Sequence, residues 1–223
     1  MTDITLVVTT HSRPDWLKVS LTSILASART VRQTTRVLVM DDASSTLDAR
    51  RIARRLRVEY RRLPHNVGYA AARVAALEDV DSPFLAFIDD DDALLPNWHR
   101  LHLDKIAEGH DVVSASYWET YAGLKRKEAV ILEPATLEGL LAGHVPVNDG
   151  SLIRTSVLEG IPWRPERDKV MMMSMWLALA ANGRSFATIT EPCWLHRLHG
   201  SNMSASLDEQ DAAFRREAIA EWA

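Results

Sequence analysis

Short apolar runs alternate with longer helical patterns through the first half of the chain. The runs are rich in β-branched and aromatic residues and lie at 4–10, 37–40, 58–63 and 83–88. Helical patterns lie between or beside them, at 15–27, 47–56 and 69–77. Because parallel strands need helical crossovers, this alternation predicts an α/β fold with a mainly parallel central sheet flanked by helices.

The second half is less regular. Its patterns predict helices at 98–107, 170–181 and 207–222, and strands near 112–117, 151–154, 186–189 and 193–196. No internal repeat or low-complexity linker interrupts the sequence. We therefore expect one domain over residues 1–223.

Composition excludes several classes of protein. The 223 residues carry 30 acidic and 26 basic side chains, a net charge of -4, which does not fit a general nucleic-acid binder. No apolar run approaches the ~20 residues of a spanning helix, and the N-terminus lacks a secretory signal, so we expect a cytoplasmic protein without a transmembrane segment.

The basic segment 50–57 predicts a solvated helix face. Attraction to an anionic membrane or an anionic acceptor is the alternative.

Polar clusters follow three of the four strands predicted in the first half, at 9–13, 41–42 and 89–92. In open α/β sheets, ligands bind beyond the carboxyl ends of the strands. The four aspartates at 89–92 repel one another unless a cation neutralises them, and oxygen-rich sites suit Mg²⁺ or Mn²⁺. The alternative is a solvated acidic turn at the start of the next helix.

Six short motifs, in order, resemble those of family 2 glycosyltransferases over about residues 4–204. They are TTHSR at 9–13, DDAS at 41–44, NVGYAAAR at 66–73, DDDDALLP at 89–96, WLALA at 176–180 with Gly183, and HRLHGS at 196–201. The resemblance implies a GT-A-like, Rossmann-type sandwich. Residues 1–96 would bind the nucleotide sugar, and 97–223 would form the acceptor half and a C-terminal helix.

The resemblance also implies the site residues. The nucleotide would contact Thr9, His11, Arg13, Asp42, Arg73 and Asp90. Asp91 would hold the Mn²⁺ or Mg²⁺ ion that bridges the diphosphate. His199 stands where a metal or phosphate ligand is found, although a loop histidine hydrogen-bonded to the backbone is an equal alternative.

One position departs from the family pattern. Members carry Glu-Asp at the start of the acceptor-side helix, where a carboxylate accepts the proton of the acceptor hydroxyl, but this chain has Met171 and Met172 there. The nearest acids are Asp168, Glu166 just before it, and Asp149, and we expect Asp168 or Asp149 to be the base. The alternatives are that Asp168 caps the helix predicted at 170–181, that the mechanism is retaining, or that transfer is inefficient.

The sequence thus predicts a metal-dependent enzyme that moves a sugar from a nucleoside diphosphate donor to a hydroxyl acceptor, with inversion. A saccharide, a carrier-linked sugar or a small molecule would be the acceptor, as in polysaccharide biosynthesis. A catalytically degenerate nucleotide-sugar-binding protein is the second hypothesis. A sugar nucleotidyltransferase ranks third, because the Gly-x-Gly-x-Arg loop is missing after the first strand.

Overall fold

A seven-stranded sheet forms the centre of the molecule. The computed structural model describes residues 3–121, 125–144, 147–200 and 208–223. The strand order is β10-β6-β9-β4-β1-β2-β3. The strands are β1 (Ile4–Thr10), β2 (Thr35–Asp41), β3 (Glu59–Arg62), β4 (Phe84–Asp89), β6 (Val112–Ala115), β9 (Leu152–Arg154) and β10 (Phe186–Ile189). The predicted mixed α/β fold with a mainly parallel sheet is confirmed.

The register of the sheet brings the three polar clusters together. β1 pairs in parallel with both β2 and β4, so that Thr10 lies opposite Asp41 and Thr9 opposite Asp89. The carboxyl ends of these strands therefore share one edge. β9 runs antiparallel between β4 and β6 and departs from the parallel pattern.

Helices cover both faces of this sheet, because side chains along each strand alternate between two cores. Ile4, Leu6 and Val8 face the core formed with α1, α2 and α4, whereas Val7 faces the core formed with α3, α5, α6 and α7. The helices are α1 (Pro14–Ala28), α2 (Asp48–Leu56), α3 (Tyr69–Ala76), α4 (Trp98–Ala107), α5 (Leu137–Leu141), α6 (Met171–Ala181) and α7 (Glu209–Trp222). None of them, over the described ranges, is long and apolar enough to cross a membrane.

A second sheet of four strands lies beside the first, in the order β5-β11-β7-β8. Its strands are β5 (Ala93–Leu94), β7 (Tyr117–Thr120), β8 (Arg126–Val130) and β11 (Trp194–Arg197). The strand predicted near 112–117 is in fact two, because the chain leaves the large sheet at the buried Ser116 and enters the small one. By pairing with β5, β11 brings the sixth motif back to the acidic run.

The other differences between the predicted and the observed elements are local. A 3-10 helix at Pro165–Val170 precedes α6, and β5 and β8 have no counterpart in the sequence prediction, since two residues or a charged run carry too little periodic signal. Two expectations lie outside the described residues: Ser201 at the end of the sixth motif and residue 207 at the start of the last predicted helix.

Candidate active site

Three aspartates converge where β4 ends. Asp89, Asp91 and Asp92 each offer a carboxylate oxygen, and these oxygens lie within 4.8 Å of one another. Asp90 is not part of this group. Its carboxylate accepts a hydrogen bond of 2.6 Å from the hydroxyl of Thr10 on β1. Three of the four acidic side chains at 89–92 therefore face one point, and they form a cluster of hard oxygen donors that fits Mg²⁺ or Mn²⁺.

Burial makes this cluster electrostatically costly without a cation. Desolvation is the largest cause of the raised pKa values of Asp89, Asp90 and Asp92, and repulsion among the neighbouring carboxylates adds to it. The pKa of Asp90 rises to about 7. A bound divalent cation would favour the charged forms, which is a second reason why the residues present fit a metal.

Two cationic or basic side chains flank Asp91. Arg13 donates a hydrogen bond of 2.7 Å to the Asp91 carboxylate and lies 3.4 Å from that of Asp90. His199 Nε2 lies 2.8 Å from the same Asp91 oxygen. Trp16 on α1 supports both, with the His199 ring centroid 4.5 Å from its own and Arg13 5.5 Å from it. His199 therefore lies beside Asp91 through a side-chain contact, and its expected role as a metal or phosphate ligand stays a prediction.

The end of β11 holds Asp92 and the backbone of Asp91. The amide of Arg197 donates to Asp92 at 3.0 Å, and its Nε donates to the Asp91 carbonyl at 2.8 Å. His196 Nδ1 lies 3.3 Å from Asp92. Burial alone would lower the pKa of His196, but the hydrogen bond and the charge of Asp92 outweigh it and raise that pKa. The small sheet thus fixes the acidic cluster in place.

The end of β2 forms a second polar cluster. The carboxylate of Asp42 accepts hydrogen bonds from the amides of Val67 and Gly68, at 2.7 and 3.0 Å. His11 Nδ1 lies 2.6 Å from the Asp42 carbonyl oxygen. Gly68 has φ +89°, a conformation that favours glycine. The loop 11–13 therefore touches both acidic turns, Asp42 through His11 and Asp91 through Arg13.

Asp41 has a structural role instead. Its fully buried carboxylate accepts hydrogen bonds from the Tyr60 hydroxyl and the Ser44 amide, at 2.5 and 2.8 Å. Asp41 therefore stabilises the turn that follows β2, whereas Asp42 binds the loop at 66–68.

Arg73 lies beside the acidic cluster and is closed off from solvent. Its side chain is fully buried, and its guanidinium donates to Asp89 at 2.7 Å and to Asp149. The rings of Tyr69 and Phe87 lie 4.0 and 5.0 Å from the guanidinium carbon. Arg73 therefore fixes two acids from behind, and the expected nucleotide contact of this residue stays a prediction.

The two candidate bases occupy different places. Asp149 accepts hydrogen bonds from Arg73 and from the Tyr69 hydroxyl, the latter at 2.8 Å. Burial raises the pKa of Tyr69 well above its usual value and keeps that hydroxyl protonated. Asp168 accepts a hydrogen bond of 2.8 Å from the amide of Ala70 at the start of α3.

The alternative that Asp168 caps α6 is therefore wrong. The residue before α6, Val170, makes no side-chain capping bond, and Asp168 is hydrogen-bonded to α3 instead, since the 3-10 helix at Pro165–Val170 packs against α3. A Cβ atom on Gly68 would lie 3.5 Å from Asp168. Asp168 thus sits against the glycine loop that Asp42 also holds.

Several residues of this site were not predicted from the sequence. They are Trp16, Tyr69, Asp89, Asp92, His196 and Arg197. Most lie inside recognised motifs, so their location carried a signal although their individual contacts did not. Trp16 lies in an ordinary helical pattern and had none.

Together, the doubly covered sheet and the acidic edge match a GT-A fold with a carboxylate cluster that could hold a metal. The family model Glycosyl transferase family 2 matches residues 5–159. The chain belongs to this family. No curated protein matches it significantly.

Solved structures share the fold at low sequence identity. S. aureus TarS 1-349 in complex with UDP-GlcNAc is 16% identical, with TM-score 0.76, over 99% of this chain and 71% of that one. Glucosyl-3-phosphoglycerate synthase from Mycobacterium tuberculosis, in complex with Mn²⁺, UDP and glucosyl-3-phosphoglycerate, is 15% identical, with TM-score 0.70, over 98% and 80%.

A third structure is the mannosyltransferase PcManGT from Pyrobaculum calidifontis in complex with GDP-Man and Mn²⁺. It is 14% identical, with TM-score 0.67, over 91% of this chain and 59% of that one. This chain spans 60% of another TarS 1-349 structure and 43% of a longer TarS chain. At identities this low, the structural similarity establishes a common fold and nothing more.

Proposed function

We propose that the protein transfers a sugar, a hexose by its family pattern, from a nucleoside diphosphate donor to a hydroxyl acceptor with the help of Mn²⁺ or Mg²⁺. The convergence of Asp89, Asp91 and Asp92 within 4.8 Å, at the edge that also carries Asp42, is the observation that supports it. The three solved structures with bound UDP-GlcNAc, UDP or GDP-Man add support for the donor class.

The donor side uses the residues of the shared edge. Asp42, His11 and Thr9 would meet the base, and Asp90, held by Thr10, would meet the ribose. Asp91 would hold the metal, with Asp89, Asp92 and His199 beside it. A divalent ion offsets the charge that develops on the departing nucleoside diphosphate. Arg13 adds a further positive charge at the same edge.

The acceptor side needs a proton acceptor if transfer proceeds with inversion. Met171 and Met172 cannot provide one, which leaves Asp149 and Asp168. We favour Asp149, because Arg73 binds both Asp149 and Asp89 and so places Asp149 beside the acidic cluster, whereas the hydrogen bond of Asp168 comes from the amide of Ala70 on α3. A saccharide, a carrier-linked sugar or a small molecule would accept the sugar, and cytoplasmic polysaccharide assembly is the expected setting.

Nucleotide-sugar binding without transfer is the second candidate, and the two methionines at the usual acid positions are the observation in its favour. The same screen tests both. Thermal unfolding is followed with each common nucleoside diphosphate, with and without Mn²⁺. A shift of the Tm that needs both nucleotide and metal supports the donor site.

Donor hydrolysis and transfer to a panel of sugars then separate the two functions. Turnover supports the transferase, and binding without any turnover supports the binding protein. If no nucleoside diphosphate shifts the Tm with or without metal, both proposals are overturned.

A further inference from the structure

The outer face of α2 carries an uninterrupted patch of arginines. Arg50, Arg51, Arg54 and Arg55 are exposed, and Arg57 follows directly after the helix. Ala49 and Ala53 occupy the opposite, buried face. Because residues three and four apart share a helix face, these arginines lie together on the solvent side of α2. We call the exposed side of residues 47–57 the α2 face.

Over the parts of the chain that the structure describes, one arginine of this patch forms an ion pair and the others do not. Arg51 pairs with Asp48 at 2.8 Å. Arg50, Arg54, Arg55 and Arg57 form no ion pair with any residue in the described parts of the chain. The protein as a whole has a net charge of -4, so the patch is a local reversal of sign rather than part of a general basic character.

An exposed apolar side chain lies within the same face. Leu47 is 48% exposed, and its carbonyl accepts the first helical hydrogen bond, from the amide of Arg51. Spacings of four to Arg51 and seven to Arg54 place Leu47 in line with the arginines. Val19 on α1, 40% exposed beside Lys18, is another apolar residue on the side of the sheet covered by α1 and α2.

An open groove of about 550 Å³ lies between α1 and α2, beside this face. Pro14, Ile52 and Leu56 give it an apolar lining, and Lys18, Arg51 and Arg55 add positive charge. Two acids, Asp15 and Asp48, also line it. Its α1 end begins at Pro14, the residue after Arg13 of the acidic site.

We propose that the α2 face docks on the surface of an anionic lipid bilayer. A bilayer offers both elements that this face matches: a sheet of negative headgroups for the arginines and an apolar layer for Leu47. A soluble polyanion offers only the first. The groove between α1 and α2 begins at Pro14, one residue from Arg13, so the docked face would adjoin the loop that carries Arg13. The inference does not depend on sugar transfer.

Flotation with lipid vesicles tests the docking directly. We expect the full chain to bind phosphatidylcholine vesicles containing about 30% phosphatidylglycerol, and not pure phosphatidylcholine vesicles. Binding should weaken strongly when NaCl is raised from about 0.05 to about 0.5 M, because salt screens the attraction. The affinity for anionic vesicles should fall about fivefold for each exposed arginine of the α2 face that is removed.

Two sets of arginine variants test whether the α2 face itself binds the vesicles. Arg50→Gln/Arg54→Gln/Arg55→Gln should lose about a hundredfold in vesicle affinity, whereas the control Arg100→Gln/Arg184→Gln/Arg216→Gln, with the same change in charge on exposed sites elsewhere, should stay within a few-fold. Leu47→Ser should reduce the binding that persists at high salt. Unchanged Tm values show that each variant is folded.

Three results overturn the proposal. The first is a wild-type chain that ignores the anionic vesicles. The second is equal loss in the α2 and control variants, which would reflect net charge alone. The third is binding to soluble polyphosphate through the same arginines without binding to vesicles, which would identify a soluble polyanion as the ligand.

Discussion

Arg73 and Asp89 form an ion pair of 2.7 Å, and the arginine side chain is completely buried. The same guanidinium holds Asp149, so one cation fixes an acid of the proposed metal cluster and an acid of the proposed acceptor side. This arrangement links the two halves of the site through a single side chain that solvent does not reach.

Replacing this arginine should be strongly destabilising. Arg73→Met leaves Asp89 and Asp149 without their buried cation. Breaking a buried ion pair costs about 3–5 kcal/mol. Urea unfolding measures the loss. The control is Arg61→Met, because Arg61 pairs with Glu78 and Asp79 at the surface and should cost at most about 1 kcal/mol. Equal losses in the two variants would contradict a structural role for the buried network.

Asp91 should be required for the effect of the metal. Asp91→Asn removes one ligand charge but keeps the size of the side chain, and we expect loss of the Mn²⁺-dependent Tm shift and a fall in donor turnover of about a hundredfold or more. Asp104→Asn, at an exposed position of α4, is the matched control and should change neither. Metal dependence that survives in the Asp91 variant would remove Asp91 from the metal site.

The identity of the base can be decided by two amide variants. Asp149→Asn should lower kcat by about a hundredfold or more, the usual contribution of a general base. Asp168→Asn keeps an oxygen that can accept the hydrogen bond from Ala70, so turnover should change little. The reverse pattern would make Asp168 the base. Normal turnover in both variants would favour a retaining mechanism.

Two buried histidines on α4 should limit stability in acid. Burial lowers the pKa of His99 to about 4 and that of His102 to about 3. The unfolded chain, with a pKa of about 6.5, therefore binds more protons below that pH, and stability falls as pH drops from about 6.5. Each histidine should cost about 2 kcal/mol at about pH 5 relative to neutral pH.

The raised pKa values of the acidic cluster act in the opposite direction, so the comparison must be made with a variant. His102→Leu removes one titrating group and leaves the cluster unchanged. The difference in unfolding free energy between wild type and variant should shift by about 2 kcal/mol between neutral pH and about pH 5. A difference that is constant with pH would show that His102 is not buried in its neutral form.

Local patterns in the sequence were sufficient for much of the fold. The spacing of apolar residues predicted β1 at 4–10 and α4 at 98–107 with the observed bounds. Strand and helix periodicity depend on neighbours within a few residues, which a sequence displays directly. The shared edge of β1, β2 and β4 followed from the same patterns, because parallel strands place their carboxyl ends together.

The sequence by itself determined which strand ends carry the acids and which family the motifs resemble. Only the tertiary structure decided how those acids are used: Asp90 is held by Thr10, Arg73 is buried between Asp89 and Asp149, Asp168 is bonded to α3, and His199 lies beside Asp91. The last contact joins residues 108 positions apart. Such contacts form because strands of the small sheet pair beside the end of the large sheet. That pairing depends on burial and hydrogen bonding over the whole chain, which no local sequence pattern shows.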